Sequence, residues 1–340
     1  MKKVNILDAP IEIRGLAVTE PGKFYRLPES IIDKVNDGVT GLAKHTAGGR
    51  VRFRTDSPEI TVCHTVRSGT VMCHMPFTGS NGVDVYTGRG ASAVFRGCCK
   101  KEQGEGDDAK TFRRAYATGA KPGTLVEVTI GLPLYDGISD LWIGFADDAE
   151  IAAPMPHTID KPIVFYGSSI TQGGCASRPA NSYCSIIARE LDADQINLGF
   201  SGSGRGEQIM ADYIASLDMS CFVLDYDHNA PTEEHLAATH KNFFDTVRRA
   251  NPDLPIAIVT RPDFYPNPAA SDRRRAIIRA TYDAAIEAGD KRVMFVDGEN
   301  MYRPILPMFD LAAVDGCHPN DLGMYLMALT IGAAVKALLK

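Results

Sequence analysis

The chain has 340 residues, 44% of them hydrophobic and 23% charged, and a formal net charge of −6. That length can bury a sizeable core and suggests two domains, and the acidic balance excludes nucleic acid as the main partner. No apolar run reaches the roughly 18 residues of a membrane span, so no membrane partner is expected.

MKKVNILDAPIEIRG, at the start, has two lysines but no apolar stretch of the kind a secretory signal needs. The sequence as written therefore predicts a cytoplasmic protein, or a secreted or periplasmic one if a signal once preceded Met1. From there to about residue 150 the chain carries short β-rich runs. VRFRT (51–55) alternates apolar and polar residues, the period of a half-buried strand. ITVCHTV (60–66), GVDVYTG (82–88), TLVEVTIGL (124–132) and SDLWIGF (139–145) continue the pattern, with Gly, Pro, Asn and Asp between them. Many short strands without long helical periodicity predict an antiparallel β-sandwich of the jelly-roll kind over 1–150. KKEQGEGDDAKTFRR (100–114) is polar and reads as a loop or hairpin tip.

AEIAAPMPHTIDKP holds three prolines, and a linker is expected over 151–160. Beyond it, over 161–340, strands alternate with helices. PIVFYG, QINLGF, CFVLDYD, PIAIVTRP and RVMFVDG read as strands. SYCSIIAREL, GEQIMADYIASL, EEHLAATHKNFFDTVRRA, RRRAIIRATYDAAIEAG and the closing DLGMYLMALTIGAAVKALLK read as helices. This rhythm predicts an α/β domain, a doubly wound parallel sheet covered on both faces in three layers. Ligands of such sheets sit outside the carboxyl ends of the strands. Arg273, Arg274 and Arg275 fall in a helical stretch, where a solvated face is expected.

The eight cysteines include no C-x-x-C pair and no zinc-like spacing, so reduced, mostly buried thiols and neither metal nor cofactor are expected.

Four short pieces fall on the loops after strands or beside the last helix: GSSIT (167–171), GFSGSG (199–204), DYDHNA (225–230) and DGCHP (315–319). A serine hydroxyl needs a general base within about 3 Å and donors for the oxyanion it creates. Ser168 and Ser169 can supply the hydroxyl, or they can simply cap a helix. His318 can be the base, with Asp315 three residues earlier fixing its tautomer. His228 is a second candidate, ranked lower because the adjacent Asp227 would face away from it in an extended segment. Gly202 leaves its backbone N–H open to a substrate, and the Asn229 amide can be a further donor, or can satisfy its own backbone. Two features bear on a substrate. Arg178 and Arg205 can bind a carboxylate or polyol, or be solvated. Tyr86 and Trp142, the only tryptophan, can stack on a sugar, or be core aromatics.

The order Ser169, Gly202, Asn229, Asp315-x-x-His318 resembles the SGNH (GDSL-type) hydrolase superfamily over about 160–340. GSSIT stands where that family has GDS, and DGCHP matches its D-x-x-H-P block. The Asp of GDS is Ser168 here, and the third block reads DHN rather than G-x-N. GVDVY (82–86) and LPLYDGISDLWIG (132–144) are similar to the G-x-D-L-Y domain attached to one branch of the superfamily. The resemblance implies a β-sandwich fused to a three-layer esterase domain. Ser169 would be the nucleophile, His318 its base and Asp315 the residue orienting it. Ser169 N–H, Gly202 N–H and Asn229 would form the oxyanion hole. It further implies removal of short acyl groups, acetyl above all, from a small-molecule or glycan ester. An acyltransferase using the same site, and a carbohydrate-binding protein with an inactive hydrolase domain, stay open as alternatives. The sequence does not address oligomeric state.

Overall fold

The structure is a computed structural model describing residues 1–99 and 109–340. Its first half is a sandwich of two antiparallel sheets. One runs Lys2–Asn5, Ile138–Phe145, Glu59–Val66, Thr111–Ala117. The other runs Ile151–Ala152, Arg50–Thr55, Val126–Gly131, Asp84–Thr87, Val94–Cys98, with Glu12–Arg14 also pairing Arg50–Thr55. Phe53, Val62, Val85, Ile130, Leu141 and Ile143 fill the space between them. The expected loop over 100–114 lies partly outside the described residues, and its last four residues, 111–114, belong to the Thr111–Ala117 strand. Two short helices, Glu29–Ile32 and Asp37–Leu42, are additions the patterning did not announce. Asn36 caps the second by accepting the Val39 N–H.

Alternation in VRFRT predicts one wet face, yet the whole strand is close to buried. Val51 and Phe53 point into the sandwich. Arg50 and Arg52, on the opposite face, are covered by the second half and paired with Asp194 and Glu127. A period-2 pattern therefore survives, but its polar face is an internal boundary between the halves.

The second half is a five-stranded parallel sheet in the order Ala193–Gly199, Ile159–Gly167, Cys221–Asp225, Ile256–Val259, Val293–Val296. Successive residues of its first strand face opposite sides. Ile163 and Phe165 pack with the helices Tyr183–Leu191 and Asp321–Leu338. Val164 and Tyr166 pack with Gln208–Ala215, Glu233–Ala250 and Pro268–Glu287. Asp321–Leu338 is long and apolar enough to cross a membrane by length and composition alone. Here Met324, Met327, Ile331 and Val335 of that helix are buried in the protein.

The expected linker over 151–160 begins and ends inside strands. Ile151–Ala152 is an edge strand of the sandwich, and Ile159 already belongs to the first strand of the parallel sheet. The segment between is pinned: Met155 N–H donates to Glu127, Arg52 donates to the Met155 carbonyl, and Arg54 donates to that of Ala153. Prolines block ladder pairing here, and arginines hold the backbone instead.

Candidate active site

The first strand of the parallel sheet lies between the second and third in space, so its carboxyl end is the topological switch point where such folds bind ligands. GSSIT is the turn at that point. Gly167 is required by close approach: a Cβ there would fall 2.1 Å from Thr171 Oγ1 and 2.2 Å from the Asp225 carbonyl. Ser168 caps the short helix Ser169–Gln172, its hydroxyl accepting the Ile170 N–H at 3.2 Å. The cap therefore falls to Ser168 and the position facing His318 to Ser169. Ser169 Oγ lies 3.0 Å from His318 Nε2, and His318 Nδ1 lies 2.7 Å from Asp315 Oδ2.

The D-x-x-H turn is built to keep that line. Asp315 Oδ1 accepts the backbone N–H groups of Cys317 and His318 at 3.0 and 2.8 Å. Partial burial pushes the Asp315 carboxyl up, but the His318 backbone N–H, its ring and the Cys317 N–H outweigh it and hold the carboxyl down to about 2. The carboxylate is then ionised at neutral pH, and it fixes the proton on Nδ1 so that Nε2 faces the serine as an acceptor. The turn is clamped to the loop after Ser169 by Cys175 N–H, which donates to the Pro319 carbonyl at 2.8 Å. Asn320 caps the helix that follows.

Gly202 sits at φ +65°, with open space where a Cβ would project. Left-handed backbone is strained for other residues. Asn229 closes a single 3₁₀ turn, Asp227–Asn229, and one of its amide N–H groups donates to the Phe200 carbonyl at 2.8 Å. That bond ties it to the start of the Gly202 loop and leaves the second N–H of the amide. Arg205 is exposed beside this loop, its Nε donating to the Gly202 carbonyl at 2.8 Å.

The other three sequence-derived substrate residues lie elsewhere. Arg178 donates to the Tyr86 hydroxyl, stands 3.7 Å from Asp84 and lies over the Phe95 ring at 4.0 Å. Asp84 in turn accepts the Ala180 N–H at 2.8 Å. The GVDVY motif is thus a clamp: its Asp and Tyr grip the loop that follows the nucleophile turn, and Arg178 is the gripped residue. Trp142 is on the outer face of the four-stranded sheet, with Lys3 4.4 Å and Arg113 5.8 Å from its ring centre. The 3₁₀ turn also revises the view of His228. Its carboxylate partner is Asp263, 2.8 Å from Nε2, while Arg261 donates to Nδ1 at 3.1 Å. Asp227 instead binds Arg274 at 2.6 Å, so Arg274 is buried and not on a solvated face.

Three residues of this region escaped the sequence reading. The Tyr135 hydroxyl donates to the Ser169 carbonyl at 2.8 Å. The His74 ring lies 5.4 Å from that of His318. Asp263 holds His228. Two clusters have metal-ligating atoms within 4.8 Å of one another, His74–Cys175–His318 and His228–Asp263–Cys317. Each joins residues far apart in sequence, which spacing could not reveal. Burial pushes the Cys175 thiol up to about 12, helped by Asp315, which opposes the thiolate a metal would want.

The model of the GDSL-like lipase/acylhydrolase family matches residues 160–335. That of the G-x-D-L-Y N-terminus of SGNH hydrolase-type esterases matches 1–151. No curated protein compared matches the chain. Among solved structures, the chain is similar to a protein from Bacteroides ovatus described as a GDSL-like lipase, with 27% identity, 99% and 98% of the two chains covered and a TM-score of 0.85. A salicylyl-acyltransferase from a tetracycline biosynthetic pathway shares the fold at 20% identity, with 99% and 97% covered and a TM-score of 0.79. So does a family two carbohydrate esterase from Clostridium thermocellum in complex with cellohexaose, at 17% identity, with 96% and 98% covered and a TM-score of 0.63. With just over half of its length matched by the family model, the chain belongs to the GDSL-like lipase/acylhydrolase family.

Proposed function

We propose that the protein is a serine esterase that removes short acyl groups, acetyl in particular, from a carbohydrate or other small-molecule ester. The observation that carries this reading is the continuous line from Ser169 Oγ to His318 Nε2 at 3.0 Å and from His318 Nδ1 to Asp315 at 2.7 Å. His318 takes the Ser169 proton as the hydroxyl attacks the ester carbonyl. Asp315 stabilises the imidazolium that results. The Ser169 and Gly202 N–H groups and the free amide N–H of Asn229 receive the oxyanion. Collapse of the tetrahedral species expels the alcohol, protonated by His318, and leaves an acyl-Ser169. Water, deprotonated by His318, then releases the acid. The step requires a neutral imidazole at His318.

The short-chain preference rests on what surrounds the nucleophile. The loop QGGCASRPANSY is polar and its Arg178 is bound by the sandwich. Hydrolysis of p-nitrophenyl esters from acetate to octanoate, beside Ser169→Ala, tests it. Activity confined to short chains and lost in the variant supports the reading. Preference for octanoate refutes the short-chain part, and turnover by Ser169→Ala refutes the nucleophile.

A second reading, acyl transfer, is favoured by the shared fold of the salicylyl-acyltransferase, which covers nearly all of both chains. An acceptor alcohol added to the assay separates the two: transfer gives a new ester in place of free acid. The intact set of Ser169, Gly202, Asn229, Asp315 and His318 speaks against a binding protein with an inactive site.

A further inference from the structure

Gln172 ends the short helix that Ser169 begins, and its side chain is fully buried. Its Oε1 accepts the Ser201 N–H at 3.0 Å, while its Nε2 donates to the Leu134 carbonyl at 3.0 Å and to His45 Nδ1 at 3.2 Å. These partners allow one orientation of the carboxamide. The Ser201 N–H is a donor and must meet the oxygen; the Leu134 carbonyl offers only lone pairs and must meet the nitrogen. His45 agrees with both. Burial, with Arg26 nearby, pushes its pKa down to about 4, so the ring is neutral and Nδ1 can accept. Leu134 and His45 belong to the first half of the chain, Gln172 to the turn that carries Ser169, and Ser201 to the loop that carries Gly202. One side chain ties all three.

Gly202 is what makes such a tie matter. Its N–H has no hydrogen-bond partner among the described residues, which leaves it open to an oxyanion. Glycine also has the widest choice of backbone conformers, and nothing packs where a Cβ of residue 202 would lie, so the direction of that N–H is set by the neighbouring peptides. The ends of the loop are pinned by backbone bonds: Phe200 N–H donates to the Gly167 carbonyl at 3.0 Å, and Ser203 and Gly204 N–H donate to the Phe200 carbonyl at 2.9 and 3.1 Å. Between them, one peptide before Gly202, the Ser201 N–H is held among the described residues by Gln172. The strand that feeds the loop is held from the sandwich as well. Arg26, fully buried, donates to the Asn197 and Gly199 carbonyls and, through Nε, to that of His45 at 3.0 Å.

Resting on the esterase reading, we infer that Gln172 is a positioning residue of the oxyanion hole and that the sandwich acts through it. His45 and the Leu134 carbonyl fix the carboxamide, the carboxamide fixes the Ser201 peptide, and that peptide aims the Gly202 N–H. The first half of the chain then contributes to turnover without touching the ester.

Gln172→Met in the full-length chain tests it, since methionine fills a similar space without the amide. The assay is p-nitrophenyl acetate hydrolysis beside wild type and Ser169→Ala, with kcat expressed per site titrated by a fluorophosphonate. The expected result is a fall in kcat per titrated site of about tenfold to a hundredfold with KM unchanged. Trifluoroacetone, which Ser169 would attack to give a tetrahedral oxyanion with no leaving group to expel, should lose affinity by the same factor. A side chain that only held the fold together would reduce the number of titrated sites and leave kcat per site and inhibitor affinity at wild-type values; that result overturns the inference. A raised KM at unchanged kcat also overturns it, by placing Gln172 in substrate binding. Turnover that persists in Ser169→Ala removes the esterase reading and the inference with it, whereas Ser169-dependent turnover that Gln172→Met leaves intact removes the inference alone. Should Gln172→Met fail to fold, a crystal structure of the wild type with trifluoroacetone decides. An adduct oxygen on the Gly202 N–H, with the Ser201 N–H still on Gln172, supports the inference, and a Ser201 N–H that has left Gln172 for the adduct overturns it.

Discussion

The Tyr135 hydroxyl donates to the Ser169 carbonyl at 2.8 Å, so a side chain of the sandwich touches the backbone of the proposed nucleophile. The same carbonyl accepts the Gly173 and Gly174 N–H groups at 3.1 and 2.9 Å. Tyr135→Phe removes one of three donors, an effect of about 0.5–1.5 kcal/mol. The expected outcome is a fall in kcat of roughly twofold to tenfold with KM unchanged. Steady-state kinetics on the best ester checks it. An unaltered kcat would make the contact merely structural.

Asn229 is assigned one oxyanion donor. Asn229→Ala should lower kcat by about 10²–10³ and leave a measurable residue of activity. A loss of less than about tenfold would remove it from the oxyanion hole and leave it as a brace for the Phe200 carbonyl.

Arg178 is predicted to matter for stability and not for substrate. Its guanidinium lies between Tyr86, Phe95 and Asp84. Arg178→Met keeps the packing and strips the charge, leaving Asp84 without its nearer cation. Thermal unfolding should shift down by several degrees, while KM for small esters stays at the wild-type value. A raised KM with unchanged melting would restore Arg178 to the substrate site.

Asp225, at the end of the third parallel strand, is buried under the nucleophile turn and accepts from Tyr183 at 2.7 Å and Thr171 at 3.2 Å. Burial outweighs these donors and pushes its pKa up to about 7, from about 3.9 in an unfolded chain. Between those values the folded state holds the proton more tightly. Its contribution to stability is therefore fully present below about pH 4 and is lost as pH rises towards about 7. Asparagine cannot ionise, so Asp225→Asn should gain on the wild type through that window and run parallel above it. Urea denaturation at a series of pH values checks this. A difference that is flat, or that closes with rising pH, contradicts it.

Much of the proposed catalytic line is legible because each member is local to a motif. Asp315 and His318 share one turn, and Ser169, Gly202 and Asn229 each follow a strand of a βα unit whose period is plain. Alternation could not tell solvent from a second domain, so Arg52 read as a wet face when it is buried at an internal wall. Arg274 misled in the same way, since its Asp227 partner arrives from another loop. Tyr135 stood inside a quoted block, but nothing in LPLYDGISD says which backbone its hydroxyl reaches. His74 and Asp263 carry no local signal, and only the fold brings them to His318 and His228.

The central claim is that Ser169, rather than Ser168 beside it, is the hydroxyl activated by His318 and Asp315. Labelling with a fluorophosphonate, followed by peptide mass spectrometry, tests it most directly. The account predicts a single adduct on Ser169, absent in Ser169→Ala and strongly slowed in His318→Asn and Asp315→Asn. An adduct on Ser168 or on Cys317, or full ester turnover after Ser169 has been blocked, would contradict it.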